Sequence, residues 1–229
     1  MDAAEVSKEL AIPISTVYRL IKILLKHQLV EQDPERRGYR LGVRSFKMGM
    51  VYRFQRRITD IAHPFLVNLR NATDETVCLA VRERQGILIL REIEGFHELR
   101  ITHDEGRTMT LFAGATGKIL LAHMSADEQD QIIAKGLFKK TPNTITDPIL
   151  LKRQMEEIRT AGYAYSDQEW LLGVRAIAAP VRDFSGKVVA GISIVGPVHR
   201  FQEEDVTRFI PMVQKSADQI SKTMGYGII

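Results

Sequence analysis

The chain is short of the features that would make it secreted, membrane-bound or disulfide-stapled. It has a single cysteine, Cys78, in 229 residues. One thiol forms no internal disulfide and no multi-cysteine metal centre. Cys78 lies in the apolar run Thr76-Val-Cys-Leu-Ala-Val81, where it reads as a buried structural thiol. No apolar run approaches the roughly 18 residues of a membrane span. The start Met1-Asp-Ala-Ala-Glu-Val-Ser7 lacks a basic segment followed by an apolar one, so no secretory signal is visible. These absences lead us to expect a soluble cytoplasmic protein with no membrane partner. Internal repeats and low-complexity segments are also missing. The six histidines (27, 63, 97, 103, 123 and 199) show no metal-ligand spacing, and neither a metal nor a cofactor is expected. A metal held by His97, His103 and Asp104 is a remote alternative.

Charge is present and unevenly spread. The net charge is +4, but residues 1–57 hold 12 Lys/Arg against 6 Asp/Glu, whereas the remainder holds 20 against 22. A basic first quarter on a near-neutral body is the electrostatic footprint of a nucleic-acid-binding head. Within it, Ala3 to Leu10 spaces Ala3, Val6 and Leu10 as a short helix. After the turn Ala11-Ile-Pro13 a second helix is expected to run to about His27, with Pro13 in its first turn. Val17, Leu20, Ile23 and Leu24 form its apolar stripe. Ser15, Thr16, Tyr18, Arg19 and Lys22 occupy the opposite face and suit a recognition helix in a major groove. An ordinary solvated amphipathic helix has the same pattern.

Leu29–Gln32 and Tyr39–Leu41 then read as a hairpin whose tip carries Arg36 and Arg37. With Arg40 on its return strand, it describes the wing of a winged helix-turn-helix, whose arginines reach phosphates or the minor groove. The first brace helix of such a head is not present, so Val17, Ile21 and Leu24 are expected to be partly uncovered, and Met1 is suspected not to be the natural start. Double-stranded DNA is the expected partner. A head this small reads too few base pairs to specify a genomic site, so a homodimer or a dimer of dimers is expected.

Residues 43–57 read as a linker helix, leading to a helix that Pro64 should end or kink near His63. The domains expected are 1–42, the DNA-binding head; 43–57, the linker; and 58–229, a mixed unit. Strands are expected at Thr76–Val81, Ile87–Ile93, Leu99–Thr102, Tyr163–Ser166, Ala176–Arg182 and Val188–Val195. Helices are expected at Thr116–His123, Asp127–Lys135, Pro148–Ala161 and Glu203–Met224, the last kinked at Pro211. The fold class is therefore α+β, with an antiparallel sheet and helices on its faces.

Several constellations tempt a catalytic reading and fail it. Ala113-Gly-Ala-Thr-Gly-Lys118 lacks the P-loop's first glycine and its closing hydroxyl, since Phe112 and Ile119 stand there. It remains a small-residue turn opening a helix, whose N–H groups at Gly114, Ala115 and Thr116 suit a carboxylate. Gly191-Ile-Ser-Ile-Val-Gly196 places its second glycine one residue too late for a nucleophile elbow. Asp167 and Glu169, two apart, suit either acid–base work or hydrogen bonding to a ligand hydroxyl. Asn71-Ala-Thr73 spells a glycosylation sequon without other signs of secretion.

The ordered set Ile14-Ser-Thr-Val-Tyr-Arg-Leu20, Gly38-Tyr-Arg-Leu-Gly42, Gly114-Ala-Thr-Gly-Lys-Ile-Leu-Leu-Ala122, Arg159-Thr-Ala-Gly-Tyr-Ala-Tyr165, Gly173-Val-Arg-Ala-Ile-Ala-Ala-Pro-Val181 and Gly191-Ile-Ser-Ile-Val-Gly-Pro197 resembles the IclR family of transcription regulators along nearly the whole chain. The resemblance implies a GAF-like effector-binding domain, a dimer or dimer of dimers, and gene control by a small organic molecule, with no enzyme activity. Members often carry a basic residue where this chain has Ile14, Cys where it has Ala176, and Ser where it has Val195. A pocket is expected to be lined by Leu99, Ile101, Met109, Phe112, Gly114, Ala115, Thr116, Asp167, Glu169, Val174, Ala176, Ser193 and Val195. Ala176 and Val195 remove two polar groups, which favours an organic or aromatic acid with few hydroxyls. The competing reading is a metabolite-binding protein or enzyme with a vestigial head.

Overall fold

The computed structural model describes residues 2–34, 38–48, 58–84, 86–103 and 105–227. The chain divides into two compact units, Met1–Arg57 and Ile58–Ile229.

In the first unit, α1 (Ala3–Leu10) opens on a capping box. The Asp2 carboxylate accepts from the N–H groups of Ala4 and Glu5, and Glu5 returns a bond to Asp2. Ala11 in the left-handed region stops it. Helix α2 (Ile14–Lys26) follows with Pro13 as its cap residue, just ahead of the first turn. Strands β1 (Val30–Gln32) and β2 (Tyr39–Leu41) pair antiparallel. The expected tip arginines, Arg36 and Arg37, lie outside the described residues. Helix α3 is described over residues 43–48, and the rest of the expected linker helix lies outside them.

The head core differs from the expected stripe. Val17 and Ile21 are the buried pair, enclosed by Ala3 with Val6, Ile12, Leu25 and Tyr39, so they are covered rather than exposed. Leu20, Ile23 and Leu24 face outward. Helix α1 is eight residues long and covers only a strip of α2 about one i, i+4 step wide.

The second unit is a six-stranded antiparallel sheet in the order β5-β4-β3-β8-β7-β6. Its strands are β3 (Thr76–Glu83), β4 (Gly86–Ile93), β5 (Thr108–Thr110), β6 (Ala164–Asp167), β7 (Val174–Arg182) and β8 (Val188–Pro197). Side chains alternate between faces with period two. Val77, Leu79, Ile177, Ala179, Ile192 and Ile194 enter one core with α4 (Ile58–Thr73) and α8 (Glu203–Thr223). Ala80, Ala178 and Ala164 enter the other, with α5 (Ala115–Ala122), α6 (Ala126–Ala134) and α7 (Pro148–Ala161). Small residues on that second face leave room for helix α5 to lie close.

Both internal prolines are carried inside unbroken helices: α4 runs through Pro64 and α8 through Pro211. Tertiary packing on the first core holds these helices across the missing hydrogen bond. The strand expected at Leu99–Thr102 does not form, and the edge strand is Thr108–Thr110 instead. The guanidinium of Arg100 donates to Glu94 and to the carbonyls of His97 and Glu98, which folds the segment onto itself, while Arg200 takes the Leu99 carbonyl. The sequon lies within α4, with Thr73 buried. No described helix is long and apolar enough to cross a membrane.

Candidate functional site

On α2, Ser15, Tyr18, Arg19 and Lys22 are exposed and Thr16 is half-buried. Lys8, Lys26 and Arg44 add exposed or half-exposed positive charge to the same unit. Arg40 is also exposed, but its guanidinium pairs with Glu31 across the hairpin at 2.7 Å. A phosphate contact by Arg40 has to displace that carboxylate.

In the second unit, β3, β4, β7 and β8, the N-terminus of α5 and the loop at Trp170 enclose a cavity of about 40 Å³. Met109, Gly114, Ala115, Thr116, Val174, Ala176, Ser193 and Val195 all line it. Five other expected lining residues do not. Leu99 is 67% exposed on the irregular loop, and Ile101 belongs to the same loop. Phe112 is buried in the core shared with α5, α6 and α7, edge-to-face on Phe138 at 5.1 Å. Asp167 leaves the opposite side of β6 from Ser166 and pairs with Arg175 at 2.9 Å. That hydrogen bond holds the Asp167 carboxyl below its ordinary range. Glu169 turns inward to Lys118. Asp167 and Glu169 are thus spent on two different cations, and they do not form an acid–base pair.

The Lys118–Glu169 pair is a buried anchor for the site. The Lys118 side chain is fully buried, and its ammonium donates to Glu169 Oε1 and, at 2.8 Å, to the carbonyl of Tyr165. Burial pushes the Lys118 pKa down, and Glu169 opposes that shift. The pair ties α5 to the loop that carries Trp170. Thr141 and Thr144 secure the same loop through the carbonyls of Gln168 and Glu169. Glycine at 114 suits the local backbone: φ is +81° with an extended ψ, a region that L side chains rarely adopt. Gly117 sits so close to the carbonyls of Thr110 and Leu111 that a Cβ would meet them at 2.5 and 2.8 Å.

Helix α5 has no side-chain cap, so its first N–H groups are left for another acceptor. The Ser193 hydroxyl is fully buried, lines the cavity and has no hydrogen-bond partner among the described residues. A buried hydroxyl left unsatisfied costs about 1–3 kcal/mol, so it is a standing place for a ligand polar atom. Cys78, His103, Ser166 and Trp170 also line the cavity and escaped sequence reasoning. Only the polar interruptions Cys78 and Ser193 in apolar strands signalled their side of the sheet. Met109 and Trp170 line both this cavity and an open cleft of about 460 Å³ that includes Arg84 and Lys140. The Lys140 ammonium sits 4.6 Å from the Trp170 ring centroid.

A helix-turn-helix head with an exposed cationic face, and an α/β unit with a mostly apolar cavity that holds a few polar groups, define a DNA-binding regulator with an effector-binding C-terminal domain. Residues 1–34 match the model of the IclR helix-turn-helix domain, and residues 51–222 match that of the bacterial transcriptional regulator IclR C-terminal domain. The chain belongs to the IclR family, whose members are transcription regulators and not enzymes. It is 32% identical over 223 residues to the HTH-type transcriptional repressor AllR of Klebsiella pneumoniae, across 97% of this chain and 82% of that protein. It is 31% identical over 226 residues to the transcriptional repressor IclR of Escherichia coli, with the same coverage. The crystal structure of Thermotoga maritima IclR matches with a TM-score of 0.71 at 30% identity, over 99% of this chain and 92% of that one. An IclR-type regulator from Silicibacter shares the fold with a TM-score of 0.91 at 21% identity, over 99% of this chain and 89% of that one.

Proposed function

We propose that the chain is a sequence-specific regulator, acting as a repressor, that responds to a small organic or aromatic acid bound in the second unit. The observation that carries this reading is the pairing, in one cavity, of the uncapped N-terminus of α5 with the unpartnered Ser193 hydroxyl. The helix end supplies N–H donors and positive potential for a carboxylate. Ser193 supplies one hydrogen bond, and Met109, Val174, Ala176 and Val195 supply apolar walls that suit a ligand with few hydroxyls.

About 40 Å³ holds little more than a water molecule, so the acid needs a larger space. Met109 and Trp170 stand between the cavity and the outer cleft. Rotating Trp170 off Lys140 merges the two into a volume within the roughly 300–1,000 Å³ of ordinary ligand sites. Lys140 then offers a second cation for the carboxylate. In the head, Ser15, Thr16, Tyr18, Arg19 and Lys22 contact the operator, with Arg36, Arg37 and Arg40 on the hairpin side. A homodimer or a dimer of dimers supplies a second half-site. The acid shifts the population of DNA-competent states by binding one of them more tightly. Repression is the sense in which the AllR and IclR relatives are named.

Trp170 is the chain's single tryptophan, so intrinsic fluorescence reports this wall directly. Titration with a panel of aliphatic and aromatic acids is expected to give a saturable change for at least one class, with a parallel rise in melting temperature. Ser193→Ala should weaken that binding about tenfold, the equivalent of one hydrogen bond to a charged group at its lower end of about 1.5 kcal/mol. A panel that leaves both signals flat rejects the acid-binding reading.

A further inference from the structure

The chain's sole cysteine is not isolated in the fold. Strand β3 sets Cys78 directly opposite Glu92 on β4 and Ser193 on β8. Directly opposed residues leave the same face of a sheet, so all three point to the face that carries α5. His103, from the loop that follows β4, joins them. The Cys78 Sγ lies 3.3 Å from Glu92 Oε2 and 3.9 Å from His103 Nδ1, and His103 Nδ1 lies 3.3 Å from Glu92 Oε2. The backbone N–H of His103 donates to the same carboxylate oxygen at 2.7 Å, which pins the loop in place. Cys78 is 1% exposed, and the side chains of Glu92 and His103 are 7% and 10% exposed.

The size of this triangle is informative. Tetrahedral Zn²⁺ binds thiolate at about 2.3 Å, imidazole at about 2.0–2.1 Å and carboxylate oxygen at about 2.0–2.2 Å, which spaces sulfur from nitrogen or oxygen by about 3.6 Å and nitrogen from oxygen by about 3.4 Å. The three observed edges fall within about 0.3 Å of those of such a tetrahedral face. Hydrogen-bond contacts of the thiol cover the two edges that meet at Cys78, and the Glu92–His103 edge is an ion-pair distance. At 3.9 Å the sulfur–nitrogen edge is a long thiol contact, and its length also fits a shared metal.

We propose that Cys78, Glu92 and His103 form a binding site for a borderline-soft divalent cation, Zn²⁺ foremost, with a fourth position open to the cavity. Thiolate and imidazole select such a metal over Mg²⁺ or Ca²⁺, which take oxygen ligands. Thiolate and carboxylate together carry two negative charges with a neutral imidazole, and a divalent cation balances them. That balance offsets the desolvation of a nearly buried carboxylate. Three protein ligands are the pattern of a zinc site that keeps a place for water or an incoming ligand. Cys78 and His103 both line the cavity, so that place opens there, beside the unpartnered Ser193 hydroxyl. An acid entering the cavity can complete the coordination, although the metal site itself needs no acid.

The test is a titration of the metal-free full-length chain with Co²⁺, read through thiolate-to-cobalt charge-transfer absorption, then Zn²⁺ displacement against a chromophoric chelator. One equivalent is expected to bind. Mg²⁺ should not compete. Cys78→Ser should abolish the charge-transfer band, and Glu92→Gln and His103→Ala should each weaken affinity at least tenfold. His97→Ala, outside the cluster, should bind as the unaltered chain does. Circular dichroism and melting curves establish that each variant is folded. If Cys78→Ser does not fold, the Glu92 and His103 variants decide the matter by the same readout. An unaltered chain without the band, or metal binding untouched by the substitutions, overturns the site. A chain that binds acids by Trp170 fluorescence but takes up no cobalt keeps the function proposed above and loses this inference alone.

Discussion

At the scale of single residues, the second unit depends on a few buried polar groups whose partners come from distant parts of the chain. Lys118 and Glu169 are the clearest pair. Each is nearly inaccessible, and Lys118 meets Glu169 through Oε1, while Oε2 has no hydrogen-bond partner among the described residues. Removing one member of such a pair leaves an uncompensated charge in the core. Glu169→Ala is therefore expected to destabilise the unit by about 3–5 kcal/mol, measured by urea unfolding. Lys118→Met combined with Glu169→Leu should recover most of that loss, because the apolar replacement strands no charge. Recovery would show that the penalty belongs to the unpaired lysine and not to the shape of the loop. Arg200 and Glu75 repeat the logic at the far end of β8, with contacts of 2.6 and 3.1 Å. The same scale holds the residues that sequence reasoning placed wrongly. Asp167 and Glu169 are polar residues near a pocket in sequence, but their charges are consumed by Arg175 and Lys118.

At the scale of elements, helix ends and cross-links behave as their local sequences indicate. Helix α6 opens on a capping box in which Ser125 and Glu128 bond reciprocally. Glu128 also accepts from Arg82 on β3 at 2.6 Å, joining helix to sheet. The Arg82 hydrogen bond, with Ser125, holds the Glu128 carboxyl down at about 2, against an ordinary value of 4.5. A carboxyl whose folded pKa is depressed adds stability above its unfolded pKa and loses it as pH falls towards the folded one. The difference in urea midpoint between the unaltered chain and Glu128→Gln should accordingly be full above pH about 5 and shrink as pH falls towards about 2. A difference independent of pH would mean that the cap and bridge add nothing through charge. Helix α7 is equally legible: Asp147 caps it, Pro148 takes its first position, and Gly162 in the left-handed region ends it. These signals lie within four residues of the backbone they govern, and Pro148–Ala161 matches the helix expected from sequence. The irregular segment around Leu99 was misjudged because Arg100 and Arg200 spend its carbonyls, and Arg200 reaches it from 101 residues away.

At the scale of the whole molecule, the charge split governs behaviour. The positive excess of residues 1–57 makes DNA affinity steeply salt-dependent, since each neutralised phosphate releases counterions. Arg19→Ala is expected to weaken operator binding about tenfold or more and to lower the salt slope by about one if Arg19 meets a phosphate. Fluorescence anisotropy at several salt concentrations separates the two outcomes: a uniform loss with a shallower slope marks a phosphate contact, and a loss confined to the operator sequence marks a base contact. Unchanged affinity and slope would remove Arg19 from the DNA face. The exposed Leu20, Ile23 and Leu24 on α2 belong to this scale too. The sequence pattern marked them as apolar, but only packing shows that α1 leaves them outside the head core.

The sequence by itself determined the two-part organisation, the helix-turn-helix, the hairpin after it, most strands and helices of the second unit, and the family. Those features rest on periodicity, capping and charge, which are written in neighbouring residues. The structure alone decided which polar residues meet. Cys78 finds Glu92 14 residues away and His103 25 residues away, and Lys118 finds Glu169 51 residues away. Such meetings are set by strand register and by the depth at which α5 lies on the sheet. A one-residue slip in register would turn Cys78 and Ser193 to the opposite face, so no local pattern could have set Cys78 beside Glu92 and His103 in the cavity that it shares with Ser193.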